Sequence, residues 1–230
     1  MIIGNGLVAR AFETYRDDEK VVIFASGVSD SKNSTAEGFE RETRLLTHAI
    51  HNNKDKTLIY FGTTSVNDPD LANSAYVQHK LAMEGLILLS GISFHIFRLP
   101  NLAGSSNNPN TVLNFLYACV ENDKPFDLWV QSERNIIDID DVYKTAHYII
   151  QQAVFTNKIV NIANAKNYPV KYIVSCIETF CGKKALYREV AKGSVFNINL
   201  TGTIDIYASL GITFNQHYLP GILQKYYSRK

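Results

Sequence analysis

The stretch MIIGNGLVARAF, residues 1–12, joins a short apolar run to a glycine-containing turn and then to a helical pattern. Gly4, Gly6 and Ala9 stand in a G-x-G-x-x-A spacing. Small residues at these positions let the backbone approach a pyrophosphate, and the start of the following helix offers free N–H groups. The order strand, turn, helix is the context that this motif requires. It predicts a phosphate-binding turn, with a tight turn that serves packing alone as the alternative.

The residues after this turn alternate between short β-branched runs and longer helical patterns. Runs of strand length are KVVIFAS at 20–26, TLIYFGT at 57–63 and SFHIFRLP at 93–100. Helical patterns are GLVARAFETYR at 6–16, AEGFERETRLLTHAIHNN at 36–53 and SAYVQHKLAMEGLILLSG at 74–91. This alternation indicates βαβ units and predicts a parallel sheet with helices on both faces.

The second half of the chain has a looser pattern. NLAGSSNNPN at 101–110 is typical of a loop, because it is rich in Asn, Ser, Gly and Pro. Further elements are predicted as a helix at 111–123, a strand at 126–130, a strand, acidic turn and helix within 134–154, a strand at 158–164 and a helix at 170–183. The acidic turn is expected to cap its helix, and the residues after Gly182 give no clear pattern.

Composition excludes several classes of protein. A length of 230 residues fits one domain with room for a small second lobe. A net charge of +1 argues against a nucleic-acid partner. Cys119, Cys176 and Cys181 suggest neither disulfides nor a metal site, and buried thiols are expected. Neither a signal peptide nor a membrane span is evident, so the cytoplasm is the expected setting.

Tyr76 and Lys80 lie four residues apart in a helical pattern, and so share one helix face. A tyrosine is a poor acid or base at neutral pH, but a nearby ammonium lowers its pKa. The run YFGTTSV at 60–66 places hydroxyls at the end of the preceding strand, where one of them is able to hold a carbonyl group. Taken alone, the spacing of Tyr76 and Lys80 is more typical of a surface pair.

Several motifs in order resemble the extended short-chain dehydrogenase/reductase family, which contains nucleotide-sugar epimerases, dehydratases and reductases. The matching segments, which span roughly residues 1–185, are GNGLVA at 4–9, VVIFASG at 21–27, LIYFGTTSV at 58–66, YVQHK at 76–80, FRLPNLAG at 97–104, RNIIDIDDV at 134–142 and VNIAN at 160–164. The resemblance implies a Rossmann-like, doubly wound α/β sheet. It also implies a sheet core at about 1–104 plus 134–165, with a small C-terminal substrate lobe at about 105–133 and 166–230.

The resemblance also implies roles for individual residues. Thr63, Tyr76 and Lys80 would be catalytic, with Tyr76 as general acid/base and Lys80 lowering its pKa. The residues expected to bind NAD or NADP are Gly4, Asn5, Gly6, Leu7, Val8, Ala25, Ser26, Gly27, Tyr76, Lys80, Pro100 and Asn101. Thr64, Ser65, Asn101 and Arg134 would bind the nucleotide-sugar substrate, with the Arg134 guanidinium suited to a phosphate.

Part of the usual cofactor half is missing from the sequence. An acidic residue normally follows the second strand to bind a ribose hydroxyl, but VVIFAS ends in small residues. Asp30 lies near the expected distance but beyond the strand. Either this strand makes an unusual ribose contact, or two strand–helix units are absent after the glycine turn. The resemblance favours the shortened sheet and leaves the choice between NAD and NADP open.

The resemblance narrows the reaction. In dehydratases of the family an Asp-Glu pair follows the catalytic Thr, whereas Thr64 and Ser65 follow Thr63 here. The expectation is therefore reduction of a keto-sugar nucleotide by hydride transfer, of the kind used in polysaccharide biosynthesis. The alternatives are a 4-epimerase of the same chemistry and a degenerate member that binds a nucleotide or protein without catalysis. A homodimer is expected by analogy with relatives that pair through the Tyr–Lys helix and the helix before it.

Overall fold

A computed structural model describes residues 1–27, 35–106 and 108–228 of the chain. Strands and helices are numbered here in chain order. The central sheet has five parallel strands, whose order is β1 (Ile2–Ile3), β2 (Val21–Phe24), β3 (Thr57–Thr63), β4 (Ser93–Leu99) and β9 (Lys158–Asn161). Every residue of β2 is buried, as its continuous apolar run predicts for a parallel strand covered on both faces.

Helices connect these strands and continue the chain after the last of them. They are α1 (Leu7–Ala11), α2 (Ala36–Asn52), α3 (Ala75–Leu89), α4 (Val112–Glu121), α5 (Ile139–Gln151), α6 (Val170–Cys181), α7 (Ile204–Ser209) and α8 (Tyr218–Tyr227). The remaining short strands are β5 (Asn101–Ala103), β6 (Phe126–Trp129), β7 (Glu133–Arg134), β8 (Ile136–Asp138), β10 (Tyr168–Pro169) and β11 (Tyr187–Val190). Thr35 caps α2 and Ser74 caps α3 by accepting backbone N–H groups.

The sheet is covered on both faces. Ile23 of β2 faces one apolar cluster, which also contains Phe12 and the buried side of α5. Phe24, the next residue, faces a second cluster formed with α2 and α3. Successive side chains of a strand point to opposite faces, so α1 and α5 lie opposite α2 and α3. The predicted α/β, doubly wound parallel sheet is therefore confirmed.

The shortening of the sheet is visible where its first two strands meet. β1 pairs directly with β2, Ile3 opposite Phe24, and it is the edge strand of the sheet. The connections through α1 and α2 step the same way across the sheet but lie on opposite faces, so they have opposite hands. Almost all parallel crossovers are right-handed. Because the two intervening strand–helix units are absent, the chain passes from one face of the sheet to the other between two neighbouring strands.

Two predicted elements are wrong in detail. The helix expected over 6–16 ends at Ala11, and a 3₁₀ turn follows at Glu13–Tyr15. This turn brings Phe12 and Tyr15, three residues apart, onto the sheet side together, and both are buried. The loop expected over 101–110 contains β5, which pairs with β8 in parallel.

A third apolar cluster lies beside the sheet and is built mainly from α4, β6, α6 and α8. In it β6 pairs in parallel with β11, which belongs to the region where the sequence gives no clear pattern. Helix α6 ends at Gly182, whose φ of 65° is left-handed. The cluster is separate from those of the sheet, and the division into a sheet core and a substrate lobe stays a prediction.

Ion pairs and a hydrogen bond join the C-terminal helix α8 to the acidic turn at the start of α5. The ammonium of Lys225 lies 2.7 Å from carboxylate oxygens of both Asp138 and Asp140. The Tyr226 hydroxyl donates to Asp138 at 2.6 Å. The Asp138 side chain also accepts the Asp140 N–H and caps α5, which confirms the predicted capping role of the acidic turn.

The described helices include none that is long and apolar enough to cross a membrane. The three cysteines, all within the described residues, form no disulfide bond. Cys119 is buried as expected, whereas Cys176 and Cys181 on α6 are half-buried.

A buried ion pair fixes α3 against the sheet. Arg98 of β4 donates to both carboxylate oxygens of Glu84, at 2.9 and 2.6 Å. The Glu84 side chain is only 3% exposed. Gly62 of β3 makes room for it, since a Cβ there would stand 2.6 Å from a Glu84 oxygen. The pair therefore sets the position of the helix that carries Tyr76.

We expect Arg98→Ala to lower the free energy of unfolding by about 3–5 kcal/mol, because it leaves the buried Glu84 carboxylate without its cation. Urea denaturation measures this change. The control is Lys171→Ala, which removes an exposed ion pair with Glu189 and is expected to change stability little. Equal effects of the two substitutions would contradict the role given to the Arg98–Glu84 pair.

Candidate active site

The predicted site residues lie at the carboxyl ends of the parallel strands. Gly4 follows β1, Ala25 follows β2, Thr63 ends β3 and Pro100 follows β4. The strands are parallel, and their registers bring these carboxyl ends level, with Thr63 opposite Leu99. The chain leaves β1 toward one face and β2 toward the other. In open α/β sheets, a change of face between neighbouring strands opens the crevice where ligands bind.

The glycine turn is exposed and close to β2. Gly4 has a φ of 126°, and a Cβ on it would lie 2.3 Å from the Ala25 carbonyl oxygen. Gly6 has open space around it. Gly4, Asn5 and Gly6 are exposed, whereas the side chains of Leu7 and Val8 pack toward the core. The turn therefore offers bare backbone to a ligand, although the helix that it opens has only five residues.

Arginines stand on both sides of this turn. Arg10 donates to the Asn5 carbonyl at 3.2 Å and to the Ser105 carbonyl at 2.8 Å. Arg41 donates to the hydroxyl and the carbonyl of Ser26 at 3.1 and 3.2 Å. Both side chains thus hold the loops around the glycine turn in place by hydrogen bonds, and both bring positive charge to the turn. Asp30, the candidate ribose-binding residue, lies outside the described residues.

Thr63 and Tyr76 lie near each other at this end of the sheet. Thr63 is buried at the end of β3, and its hydroxyl accepts the Ser65 N–H at 3.1 Å. Tyr76 is half-buried in the first turn of α3. Burial raises the pKa of Tyr76 to about 12, a hydrogen-bonding interaction with Thr63 opposes the rise, and the Glu42 carboxylate adds to it. Tyr76 is therefore protonated at neutral pH.

Lys80 pairs with a buried carboxylate. Its Nζ lies 2.9 Å from a carboxylate oxygen of Glu42 and 3.3 Å from the Tyr60 hydroxyl. The pKa of Tyr76 is raised, chiefly by burial, and the role of Lys80 in lowering it stays a prediction. A carboxylate next to an ammonium opposes the effect of that ammonium on other groups. Burial lowers the pKa of Lys80, and the Glu42 carboxylate opposes this change.

Glu42 is the residue that sequence reasoning missed. It is fully buried, and beyond Lys80 it contacts the Tyr60 hydroxyl at 2.9 Å and His79 Nε2 at 3.1 Å. The sequence did carry a signal. Glu42 lies three residues after Phe39 and four before Leu46, on the apolar stripe of α2. A carboxylate on such a stripe requires buried partners.

Two of the residues expected to bind the substrate directly follow Thr63 in the chain. Thr64 is buried and Ser65 half-buried in the 3₁₀ turn after β3. Pro100 is half-buried, and the Asn101 side chain donates to the Asn135 carbonyl at 2.9 Å.

Arg134 is half-buried beside this group. Its guanidinium donates to the Glu133 carbonyl at 2.8 Å. Burial lowers the pKa of Arg134, whereas the nearby carboxylates of Asp68 and Asp70 raise it. The Ser194 hydroxyl donates to Asp68 at 2.7 Å, which brings the C-terminal region to the same place.

The sequence of this region matches a known family. A sequence model described as the NAD dependent epimerase/dehydratase family matches residues 4–163, which include the glycine turn, Thr63, Tyr76 and Lys80. The chain belongs to this family. No curated protein sequence is significantly similar to the whole chain.

Solved structures of this family share the fold. UDP-glucose 4-epimerase of Thermus thermophilus, in complex with NAD, has a TM-score of 0.72 at 14% identity, covering 97% of this chain and 82% of that one. RMD from Pseudomonas aeruginosa, complexed with NADPH, has a TM-score of 0.73 at 14% identity, with 99% and 98% covered. UDP-glucuronic acid 4-epimerase of Bacillus cereus has a TM-score of 0.71 at 18% identity, with 92% and 75% covered.

We expect Gly4→Ala to lower the free energy of unfolding by about 1–3 kcal/mol, because a Cβ there is strained and strikes the Ala25 carbonyl. Gly6→Ala is the matched control, since Gly6 has a φ of −74° and open surroundings. Its stability is expected to stay within about 0.5 kcal/mol of the wild type. Chemical denaturation of both variants tests this difference. A Gly4→Ala protein as stable as Gly6→Ala would contradict the tight approach of the turn to β2.

Proposed function

We propose that the protein is an NAD(P)-dependent oxidoreductase that reduces a keto group of a nucleotide-linked sugar, with Tyr76 as proton donor. The observation that carries this proposal is the placement of Thr63 at the carboxyl end of β3 and of Tyr76 in the first turn of α3, at the end of the sheet that also holds the glycine turn. A protonated phenol beside a hydroxyl is suited to bind a carbonyl oxygen and to protonate it.

The residues around the glycine turn fit a dinucleotide. The exposed backbone of Gly4, Asn5 and Gly6 is able to approach a pyrophosphate, and the guanidinium of Arg10 lies beside it. When bound there, the nicotinamide would supply or accept a hydride. Both 4-epimerase structures compared above contain NAD, and RMD contains NADPH, which supports a nicotinamide dinucleotide as the cofactor and leaves the choice between the two open. Ala25, Ser26 and Gly27 would line the adenosine side of the cofactor, and Lys80 would bind the nicotinamide ribose.

Side chains of the protein would bind the substrate carbonyl and transfer the proton to it. Thr63 and Tyr76 would both hydrogen-bond the substrate carbonyl oxygen and hold it in place. Tyr76 would then donate its phenolic proton to that oxygen as negative charge develops on it. Because burial raises the pKa of Tyr76 to about 12, the donating form predominates at neutral pH. The reverse task, taking a proton from a sugar hydroxyl, requires the phenolate form of Tyr76.

The substrate would lie between Thr63 and the lobe. The half-buried Arg134 guanidinium would pair with a phosphate of the nucleotide, for which its planar donor set is well suited. Thr64, Ser65 and Asn101 would face the sugar. Relatives with this fold are complexed with UDP-glucose, in MoeE5, and with a fluorinated UDP-glucuronic acid, in the Bacillus cereus epimerase. These complexes support a nucleotide-linked sugar as the substrate class.

Two alternatives rest on specific observations. Two of the three structures compared above are of 4-epimerases, which supports 4-epimerisation by the same residues. The edge position of β1 supports a non-catalytic nucleotide- or protein-binding role, since the adenine side of the site is reduced. A reductase consumes one reduced nicotinamide per sugar, an epimerase yields the sugar epimer without net consumption, and a non-catalytic protein does neither.

We expect Tyr76→Phe to lower the rate of keto-sugar nucleotide reduction by about 100- to 10,000-fold, because it removes the proton donor. Loss of absorbance of the reduced nicotinamide measures the rate, and calorimetry checks that the dinucleotide still binds. Tyr187→Phe, at a tyrosine on β11 that is 36% exposed, is the control and should retain the wild-type rate. Reduction by Tyr76→Phe at the wild-type rate would exclude Tyr76 as the donor.

A homodimer through α2 and α3 is part of the proposal. Helix α3 is apolar around most of its circumference, and Leu81, Leu88 and Leu89 are exposed on its outer face. They follow a spacing of seven and eight residues and so form one stripe. A helix that is apolar on its outer as well as its inner side is typical of one that a partner covers. The proposed partner is a second copy of the chain.

We expect the wild-type protein to sediment at about twice the chain mass of 25.9 kDa and Leu88→Glu to sediment as a monomer. A buried carboxylate at an apolar interface is unfavourable, which is why the variant should dissociate. Leu186→Glu is the matched control, because Leu186 and Leu88 are both 52% exposed. The proposal fails if the wild type is monomeric or if Leu88→Glu remains a dimer.

A further inference from the structure

Two exposed arginines reach the glycine turn from opposite faces of the sheet. Arg10 comes from α1 and Arg41 from α2, and these helices cover different faces. Arg10 donates to the Asn5 carbonyl at 3.2 Å. Arg41 donates to the hydroxyl and the carbonyl of Ser26, at 3.1 and 3.2 Å. Each guanidinium is therefore held beside one of the two segments that form this end of the sheet.

These two segments touch each other. Gly4 directly precedes Asn5, and a Cβ on Gly4 would lie only 3.0 Å from the Ser26 nitrogen. The contacts of both guanidinia thus lie within one residue of the same backbone contact. Two positive charges therefore stand next to the bare backbone of the turn, one on each side of it.

Both charges are available to an anion. In the described part of the chain, the two guanidinia donate to backbone carbonyls and one hydroxyl, and to no carboxylate. Three other arginines, Arg16, Arg98 and Arg188, each pair with a carboxylate. A guanidinium has more N–H donors than the two that each of these side chains uses here, so donors remain for a ligand.

We propose that Arg10 and Arg41 bind the diphosphate of the cofactor between them and supply the main attraction for it. The inference deepens the proposed function, because it rests on a nicotinamide dinucleotide bound at the glycine turn. Guanidinium groups bind phosphate oxygens by charge-assisted hydrogen bonds. Helix α1 has only five residues and β1 is the edge strand of the described sheet, so side-chain charge has the larger part to play here.

The test measures ligand binding to the full-length protein by calorimetry, for the wild type, Arg10→Met and Arg41→Met. ADP is the first probe, because it carries the diphosphate without the nicotinamide, and NADH is the second. We expect each substitution to raise the Kd for both probes by about tenfold to hundredfold, since it removes one cation and its hydrogen bonds to phosphate. Arg44→Met, at another exposed arginine of α2, is the matched control and should bind both probes like the wild type.

The dependence of the Kd on salt separates direct binding from a purely structural role. Both arginines also hold loops, so a variant with a displaced glycine turn would bind weakly but keep the salt dependence of the wild type. Loss of a cation that contacts the diphosphate should make the Kd less sensitive to sodium chloride between about 50 and 500 mM. An unchanged salt dependence in the Met variants would overturn the proposal. If circular dichroism shows that one variant does not fold, the other is judged by the same criterion.

A nucleotide sugar also carries a diphosphate, so a third probe distinguishes the two ligands. UDP-glucose, which is bound in the MoeE5 structure, is expected to place its diphosphate at Arg134 and not at the glycine turn. Its Kd should therefore stay unchanged in Arg10→Met and Arg41→Met. A greater loss of affinity for UDP-glucose than for ADP would assign the two arginines to the substrate and overturn the proposal.

The outcomes separate this inference from the proposed function. If the wild type binds NADH and both Met variants bind it equally well, only the role of the two arginines fails. If the variants lose ADP and NADH as expected but Tyr76→Phe reduces substrate at the wild-type rate, the arginines keep their role and the proposed proton donor fails. A wild type that binds neither ADP nor NADH would contradict both.

Discussion

The direct parallel pairing of β1 with β2 is the constraint on which the rest of the structure depends. Ile3 lies opposite Phe24, and the chain then leaves the two strands toward opposite faces of the sheet. The crevice of a doubly wound sheet needs only such a reversal at neighbouring strands. The chain therefore keeps a ligand-binding edge although β1 has become the edge strand. Gly4 is essential here because a side chain would meet the Ala25 carbonyl.

Buried charge then determines the chemistry of that edge. Two carboxylates on helices of one face, Glu42 and Glu84, each bind a cation, Lys80 and Arg98. The Glu84–Arg98 pair ties α3 to β4, and the Glu42 network ties α2 to α3. Tyr76 is thereby held beside Thr63 in surroundings that favour its neutral form. The same contacts serve packing and would serve the proposed proton transfer, because the helix that covers the sheet also carries the proposed proton donor.

The sequence predicted the parallel sheet and most of its elements because buried parallel strands are continuous apolar runs. It predicted the helix of Tyr76 to within a residue or two of its ends. It failed at residues 12–15, where the need to bury Phe12 and Tyr15 shortened a helix. It also gave no pattern for β11 or α8, whose places depend on β6 and on the acidic turn of Asp138.

By itself the sequence determined the family, the glycine turn at Gly4 and Gly6, and the spacing that puts Tyr76 and Lys80 on one helix face. Those features are local, since backbone freedom and helical periodicity follow from neighbouring residues. Only the tertiary structure decided that Lys80 pairs with Glu42, which lies 38 residues away in the chain. The electrostatic character of Tyr76 is set by burial and by charges on other elements, and these become neighbours only when the sheet is covered.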